Sequence, residues 1–164
     1  MKPETVIRAE RADHPQVVAA LSELDAYLAG LYEPEANHIL SIAELLAPEV
    51  EFFAAWEGDR VVGTAALRRK PGEPATGGQA YAEIKRMYVD PTLRGQGLGS
   101  RLVAALEQSM RREGLALAAL EPGAEQREAV RLYERCEYVR RGPFGAYPDN
   151  GSSLFFEKRL AAAP

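Results

Sequence analysis

The chain has 164 residues, which is the size of one globular domain or slightly more. Apolar residues make up 46% and charged residues 27%, so neither a disordered nor a membrane-embedded protein is indicated. The net charge is −4, and this sign disfavours a protein that binds by neutralising nucleic-acid phosphates. No apolar run reaches the roughly 18 residues that span a bilayer, and no signal peptide follows Met1. We therefore expect a cytoplasmic protein.

Cysteine and histidine are scarce in this chain. The single cysteine, Cys136, cannot close an internal disulfide, and the two histidines, His14 and His38, lack the spacing of metal ligands. Cys136 ends an apolar stripe with no histidine near it, which favours a buried structural thiol over a nucleophile. We expect no metal cofactor.

The first half of the chain predicts a strand, two helices and a hairpin. Apolar residues recur at spacings of four, three and four after a capping Asp13, which indicates an amphipathic helix that ends near Gly30. Two β-rich runs around a polar turn at 57–60 favour a hairpin. The predicted elements are a strand at 5–8, helices at 13–30 and 36–46, and hairpin strands at 50–56 and 61–67.

The second half alternates strands and helices. A helix after Leu98 should stop at a left-handed Gly114, and the wholly apolar run that follows suits a strand covered on both faces. A strand, a helix and a covered strand in this order predict parallel pairing. The predicted elements are a loop at 70–78, strands at 80–89 and 115–120, helices at 98–114 and 125–136, strands at 138–139 and 153–158, and a loop at 142–151. The order predicts an α/β protein with a mixed sheet.

The most informative segment is the glycine-rich stretch from Asp90 to Ser100, between a predicted strand and a predicted helix. The start of a helix presents unpaired N–H groups and a partial positive charge, and glycines let a phosphate approach them. Arg94 adds a cation beside this turn. The segment therefore predicts an anion-binding site.

Three phosphate-containing ligands compete for this turn. A nucleoside triphosphate needs a lysine directly after the glycines, and none is present. The dinucleotide fingerprint needs Gly-x-Gly-x-x-Gly after a first strand, whereas Gly95, Gly97 and Gly99 lie in the middle of the chain. The third ligand is the pyrophosphate of coenzyme A.

The pattern Arg94-x-x-Gly97-x-Gly99, before a long amphipathic helix, resembles the acyl-CoA-binding motif of the GNAT superfamily of N-acetyltransferases. Residues 132–135, Leu-Tyr-Glu-Arg in the last helix, are a second match. The resemblance follows the element order from residue 6 to residue 160 and is strongest over 83–99. An isolated motif of this kind would be weak, but its place between strand and helix makes it specific.

The resemblance implies one N-acetyltransferase domain over residues 1–164. Its fold would be α/β, with a mixed, mostly antiparallel sheet of about seven strands, about four helices, and parallel strands that splay apart at the acyl-CoA site. It implies acetyl-CoA as co-substrate, with the pantetheine amides pairing with the strand backbone. The implied cofactor-binding residues are Met87, Tyr88, Val89, Arg94, Gly95, Gln96, Gly97, Gly99 and Ser100, with Gln126 in place of an asparagine common in the family.

Tyr133 and Glu83 are the catalytic candidates. The resemblance implies that Tyr133 lies beside the sulfur and protonates the leaving thiolate, although its helical spacing also suits a core tyrosine. Glu83 matches a strand glutamate that takes the proton of the amine, directly or through water. Alternatively, Glu83 points to solvent or pairs with Lys85 on the same face of the strand.

His38 and Tyr147 are candidate acceptor-binding residues. The early helices shape the acceptor side in this family, and the segment 142–147 reads as a loop with exposed aromatic side chains. Several carboxylates in this half would favour a cationic acceptor such as a polyamine, an amino compound or a peptide N-terminus: Glu33, Glu35, Glu44 and Glu83. A protein lysine stays open.

Two further expectations concern the role and the end of the last helix. A non-catalytic acyl-CoA-binding sensor is the competing class of function, and a homodimer is common among proteins with this resemblance. The family closes its last helix with glycine, whereas this chain has Glu137. A left-handed glutamate would cost about 1 kcal/mol, so we expect this helix to end differently.

Overall fold

A computed structural model describes residues 3–34 and 37–161. The strands are β1 Thr5–Ala9, β2 Val50–Glu57, β3 Arg60–Lys70, β4 Tyr81–Val89, β5 Leu117–Leu120, β6 Val139–Arg140 and β7 Phe156–Arg159, and the helices are α1 Pro15–Leu31, α2 Ile42–Leu45, α3 Leu98–Arg112 and α4 Arg127–Arg135. Within these ranges, no helix is long and apolar enough to cross a membrane.

The seven strands form one open mixed sheet in the order β1-β2-β3-β4-β5-β7-β6. β4 and β5 are parallel, whereas β1–β2, β5–β7 and β6–β7 are antiparallel. All four residues of β5 are buried, as the apolar run predicted. The predicted α/β fold is confirmed.

The start of α1 differs from the prediction in its cap. His14, not Asp13, is the capping residue, and its Nδ1 accepts a hydrogen bond from the Gln16 N–H at 3.1 Å. Asp13 is instead held by two hydrogen bonds from the Arg11 guanidinium, each 3.0 Å long. The rest of the helix follows the predicted apolar stripe.

The predicted helix over 36–46 is wrong in extent. Only Ile42–Leu45 is helical, and residues 35 and 36 lie outside the described residues. Ser41 caps this turn with an extended backbone, while the Glu44 carboxylate accepts from the Ser41 N–H at 3.1 Å. A helix cannot run through a residue in this conformation. Leu40 is therefore buried although it lies outside the helix.

Contacts between residues divide the chain into two compact units. The first comprises Met1–Leu67 and Lys85–Leu106, and the second comprises Arg68–Ile84 and Glu107–Pro164. The core of the first unit joins the apolar face of α1 to residues of β2 and β3. Burial of each fully buried side chain of this face, such as Val17 or Leu21, contributes about 1.5 to 3 kcal/mol to the free energy of folding.

The second unit has an aromatic core cluster, composed of Tyr81, Leu117, Ala119, Phe144 and Phe155. Phe144 is only 1% exposed, so the prediction of exposed aromatics in this loop is wrong for that residue. Its ring meets Tyr81 edge-on at 5.8 Å and Phe155 at 5.7 Å. Phe144 therefore anchors the loop at 142–151 to residues of β4 and β5 through side-chain packing.

Both long helices of the second half end on a left-handed residue. Gly114 has φ 76°, as predicted. Glu137 has φ 71°, so the expectation that α4 ends differently is wrong. The Tyr138 N–H donates to the Tyr133 carbonyl at 2.9 Å, and the two tyrosine rings pack edge to face. This hydrogen bond and the ring contact hold the glutamate in a conformation that normally favours glycine.

The last two strands begin later than predicted. β6 begins at Val139 because the Tyr138 N–H already donates to the Tyr133 carbonyl at the end of α4. The Tyr138 ring is buried, and its hydroxyl donates to Glu107 at 2.9 Å. β7 begins at Phe156, whereas Ser153 forms an isolated bridge with Gly123.

Candidate functional site

The glycine-rich turn leads directly into α3. The Gly97 carbonyl accepts from the Arg101 N–H at 3.1 Å, which marks Gly97 as the residue before the first helical turn. The N–H groups of that first turn have no acceptor within the helix, and they carry the positive end of its dipole. The turn therefore presents N–H donors, the group that a phosphate needs.

Two glycines give the turn its shape. Gly95 has φ 78° and Gly97 has φ 82°, a conformation that costs other residues about 1 kcal/mol or more. Nothing lies within 4 Å of the position that a Cβ would take at either residue. The backbone is consequently open on this side.

Asp90 holds the chain just before this turn. Its Oδ1 accepts from the Thr92 N–H at 2.9 Å and the Thr92 hydroxyl at 2.6 Å, and its Oδ2 accepts from Arg60 Nη1 at 2.9 Å. The Thr92 hydroxyl is the main cause that lowers the pKa of Asp90, and the Arg60 charge adds to it. The carboxylate therefore stays ionised and fixes the entry to the turn.

Arg94 and the end of β4 lie beside the same turn. The Arg94 Nε donates to the Val89 carbonyl at 3.3 Å, and its guanidinium lies 6.0 Å from the centre of the Tyr27 ring. Met87 and Val89 are half-buried, while Tyr88 is buried and its hydroxyl donates to Glu23 at 3.4 Å. Arg94 is thus an exposed cation tied to the end of β4.

Glu83 lies in the buried first half of β4. It is only 2% exposed, and its Oε2 accepts a hydrogen bond from the Tyr147 hydroxyl at 2.5 Å. Burial is the main cause that raises the pKa of Tyr147, and the charge of Glu83 adds to it. The structure thus brings together two residues that the sequence placed in separate roles.

Tyr133 lies on the buried face of α4 and is 5% exposed. Burial raises its pKa above the ordinary value of a phenol, and Cys136 adds to this effect. Tyr133 therefore stays protonated through the neutral and mildly alkaline range, as a proton donor must.

The family model described as the acetyltransferase (GNAT) family matches residues 17–138. The chain belongs to the GNAT family. It is an acyltransferase, and the resemblance that the glycine-rich turn and the tyrosine of α4 predicted is confirmed.

Relatives match the GNAT chain over almost its full length. An IAA acetyltransferase from Azospirillum brasilense is 39% identical over 96% of this chain and 99% of its own. A crystal structure from Klebsiella pneumoniae, provisionally described as an acyl-CoA N-acyltransferase, has a TM-score of 0.77 and 30% identity, covering 96% of this chain and 98% of the other. PaiA N-acetyltransferase from Thermoplasma acidophilum, solved with coenzyme A, shares the fold with a TM-score of 0.73 at 18% identity, covering 96% and 99%.

Other predicted site residues have local structural partners. The Gln126 side-chain carbonyl accepts from the Gly123 N–H at 2.7 Å, within its own loop. The His38 backbone carbonyl accepts from Lys85 Nζ at 3.2 Å, while the carboxylate of Glu44 accepts from the Ser41 N–H at the start of α2. Cys136 is half-buried and is not part of a disulfide.

Glu73 is a residue that the sequence reasoning missed. It lies in the loop between β3 and β4, and both of its carboxylate oxygens accept hydrogen bonds, from the Gly145 N–H and the Tyr81 hydroxyl. A signal existed, because Glu73 is the only charged residue between Pro71 and Ala80. The sequence gives no indication that Glu73 binds the Gly145 N–H, 72 residues further along the chain.

Proposed function

We propose that this GNAT enzyme transfers the acetyl group of acetyl-CoA to a primary amine by direct attack in a ternary complex. The observation that carries the proposal is the open turn at Gly95 and Gly97, which leads from β4 into the N-terminus of α3. Relatives solved with coenzyme A support the ligand.

The pyrophosphate would be held by N–H groups of the turn and by the Arg94 guanidinium. The assigned residues are Arg94, Gly95, Gln96, Gly97, Gly99 and Ser100. The pantetheine amides would pair with the backbone of 87–89, for which the sheet gives support: the pairing of β4 with β5 ends at Ile84 and Leu120, while β4 continues to Val89. Gln126 is proposed as a further contact.

Glu83 is proposed as the base that receives the proton of the acceptor amine, directly or through one water. Its position in the buried first half of β4, beside Tyr147, supports this role. The hydrogen bond from the Tyr147 hydroxyl to Oε2 orients the carboxylate. Tyr147 and His38 are proposed to contact the acceptor.

Tyr133 is proposed as the acid for the leaving group. In the transfer, the amine nitrogen forms a bond to the acetyl carbon and the carbon–sulfur bond breaks. The amine proton passes to Glu83, and the Tyr133 hydroxyl gives its proton to the thiolate. Burial of Tyr133 keeps that proton in place until the thiolate forms.

Thermal unfolding with and without acetyl-CoA tests the ligand, with ATP and NAD as controls. At 100 times its dissociation constant a ligand adds about 2.7 kcal/mol, or on the order of 5 to 10 °C for a chain of this size. A shift with acetyl-CoA alone supports the assignment. A larger shift with either control contradicts it.

Thiol release from acetyl-CoA tests the reaction, with spermidine, tryptamine, alanine, a tripeptide with a free N-terminus and a lysine peptide as acceptors. Tyr133→Phe should bind acetyl-CoA normally and lose thiol release, and Glu83→Gln should lose it for the best acceptor. Binding of acetyl-CoA by the wild type without transfer to any of these amines would contradict the proposed reaction.

A further inference from the structure

Glu73 joins two loops of the second unit. The first loop, residues 71–80, connects β3 to β4, and the second, residues 142–151, carries Tyr147. Glu73 Oε1 accepts from the Gly145 N–H, and Oε2 accepts from the Tyr81 hydroxyl, both at 2.7 Å. One carboxylate therefore connects the backbone of the second loop to a side chain of β4.

The β4 end of this connection is rigid. Tyr81 is fully buried, and its ring packs edge-on against Phe144. Tyr81 and Glu83 are two residues apart on one strand, so they lie on the same face of the sheet. Two phenol–carboxylate pairs thus lie side by side on β4: Tyr81 with Glu73, and Glu83 with Tyr147.

The loop end of the connection is close to Tyr147. Gly145 has φ 63°, and the position of its missing Cβ lies 3.7 Å from the Tyr147 ring. The chain therefore turns sharply at the residue whose N–H Glu73 binds, and the Tyr147 ring folds back over that turn. Arg141 strengthens the same connection, since its Nη2 donates to the Ala75 carbonyl at 2.7 Å.

Glu73 is ionised in this setting. Burial alone would raise its pKa, but the hydrogen bonds from the Gly145 N–H and the Tyr81 hydroxyl outweigh burial and lower it. Hydrogen bonds to a charged acceptor are stronger than those between neutral groups. The connection therefore persists at neutral pH.

We propose that Glu73 is a positioning residue for the acceptor half of the reaction: it fixes the 142–151 loop so that the Tyr147 hydroxyl meets Glu83. The proposal rests on the proposed function only in its kinetic consequence, because the loop position is a property of the protein without substrate. Glu73 itself touches neither reacting group.

Glu73→Gln is the first test. The amide is neutral: its oxygen can accept from the Gly145 N–H and its NH₂ can only donate to the Tyr81 hydroxyl, so two charge-assisted hydrogen bonds are replaced by weaker neutral ones. With the best amine of the five named above, kcat/KM for the amine should fall about tenfold to a hundredfold. The KM for acetyl-CoA should stay unchanged. Glu113→Gln is the matched control, since it breaks the ion pair with Arg69 and leaves the loop contacts intact.

A double-mutant cycle separates positioning from a merely structural role. If Glu73 acts through Tyr147, the variant with both Glu73→Gln and Tyr147→Phe should be no slower than Tyr147→Phe alone. Independent effects, in which the two losses multiply, would overturn the proposal. If Glu73→Gln fails to fold, Tyr81→Phe removes one of the two hydrogen bonds without a change of charge and takes its place in the cycle.

Hydrogen–deuterium exchange tests the loop position without any substrate. The amides of 142–151 should exchange faster in Glu73→Gln than in the wild type, and at the wild-type rate in Glu113→Gln. Unchanged exchange in Glu73→Gln would overturn the proposal even if the enzyme is active. If Glu73→Gln shows faster exchange but the wild type transfers acetyl to no amine, the role of Glu73 in holding the loop stands and only the proposed function is refuted.

Discussion

Replacing Glu137 with glycine should stabilise the protein. Glu137 is exposed and has φ 71°, and its side chain makes no hydrogen bond or ion pair among the described residues. Glycine would relieve about 1 to 2 kcal/mol of left-handed strain. Glycine also has greater conformational entropy in the unfolded chain, which lowers the free energy of unfolding by about 0.4 to 1 kcal/mol. The net gain is therefore about 0.8 kcal/mol, or about 2 to 3 °C in Tm.

Glu137→Ala is the matched control, because it removes the carboxylate and keeps the Cβ. It should change the free energy of unfolding by less than about 0.5 kcal/mol, as at other exposed positions. Urea unfolding of the three proteins measures both differences. Thiol release should be unchanged in both variants, since the Tyr133 carbonyl already holds the helix end. A glycine variant no more stable than the alanine variant would refute the strain argument.

Three other predictions concern the turn and acid pH. Asp90→Ala should cost about 1 kcal/mol in urea unfolding and raise the KM for acetyl-CoA, since the capping oxygens are lost; an unchanged KM would remove Asp90 from the turn's support. Gly97→Ala and Gly58→Ala should each cost about 1 kcal/mol, because both glycines are left-handed with open space around them, but only Gly97→Ala should weaken acetyl-CoA binding in a titration. Because the pKa values of Asp90 and Glu73 are lowered, their ionised carboxylates stabilise the folded state above about pH 4, and this stability is lost as the pH falls through those pKa values. Tm should therefore decrease less steeply with falling pH when both residues are replaced.

The glycine-rich turn could be predicted because its constraint is local. A left-handed residue at 95 or 97 favours glycine, and a helix start needs only the next few residues to be recognised. The same reasoning explains the correct prediction of Gly114. It failed at Glu137, where the conformation is imposed by the Tyr133–Tyr138 contact and not by the residue itself.

The acceptor side could be predicted only as separate residues. Glu83 and Tyr147 were both named, but 64 positions separate them, and no periodicity spans a loop of irregular conformation. The helix predicted over 36–46 failed for a related reason. Apolar spacing alone favours a helix over the whole range, whereas the capping pair of Ser41 and Glu44 starts a helix at residue 42 and prevents an earlier start.

The carboxylate of Glu73 makes the lengths of two loops interdependent. An insertion in either 71–80 or 142–151 would move one side of the connection out of hydrogen-bond reach, whereas loops on a protein surface ordinarily vary independently. Among homologous enzymes these two loops should consequently lengthen or shorten together, or exchange Glu73 for another connection. New acceptor preferences would then arise by replacing the two loops as a pair, on a sheet and a glycine turn that stay the same.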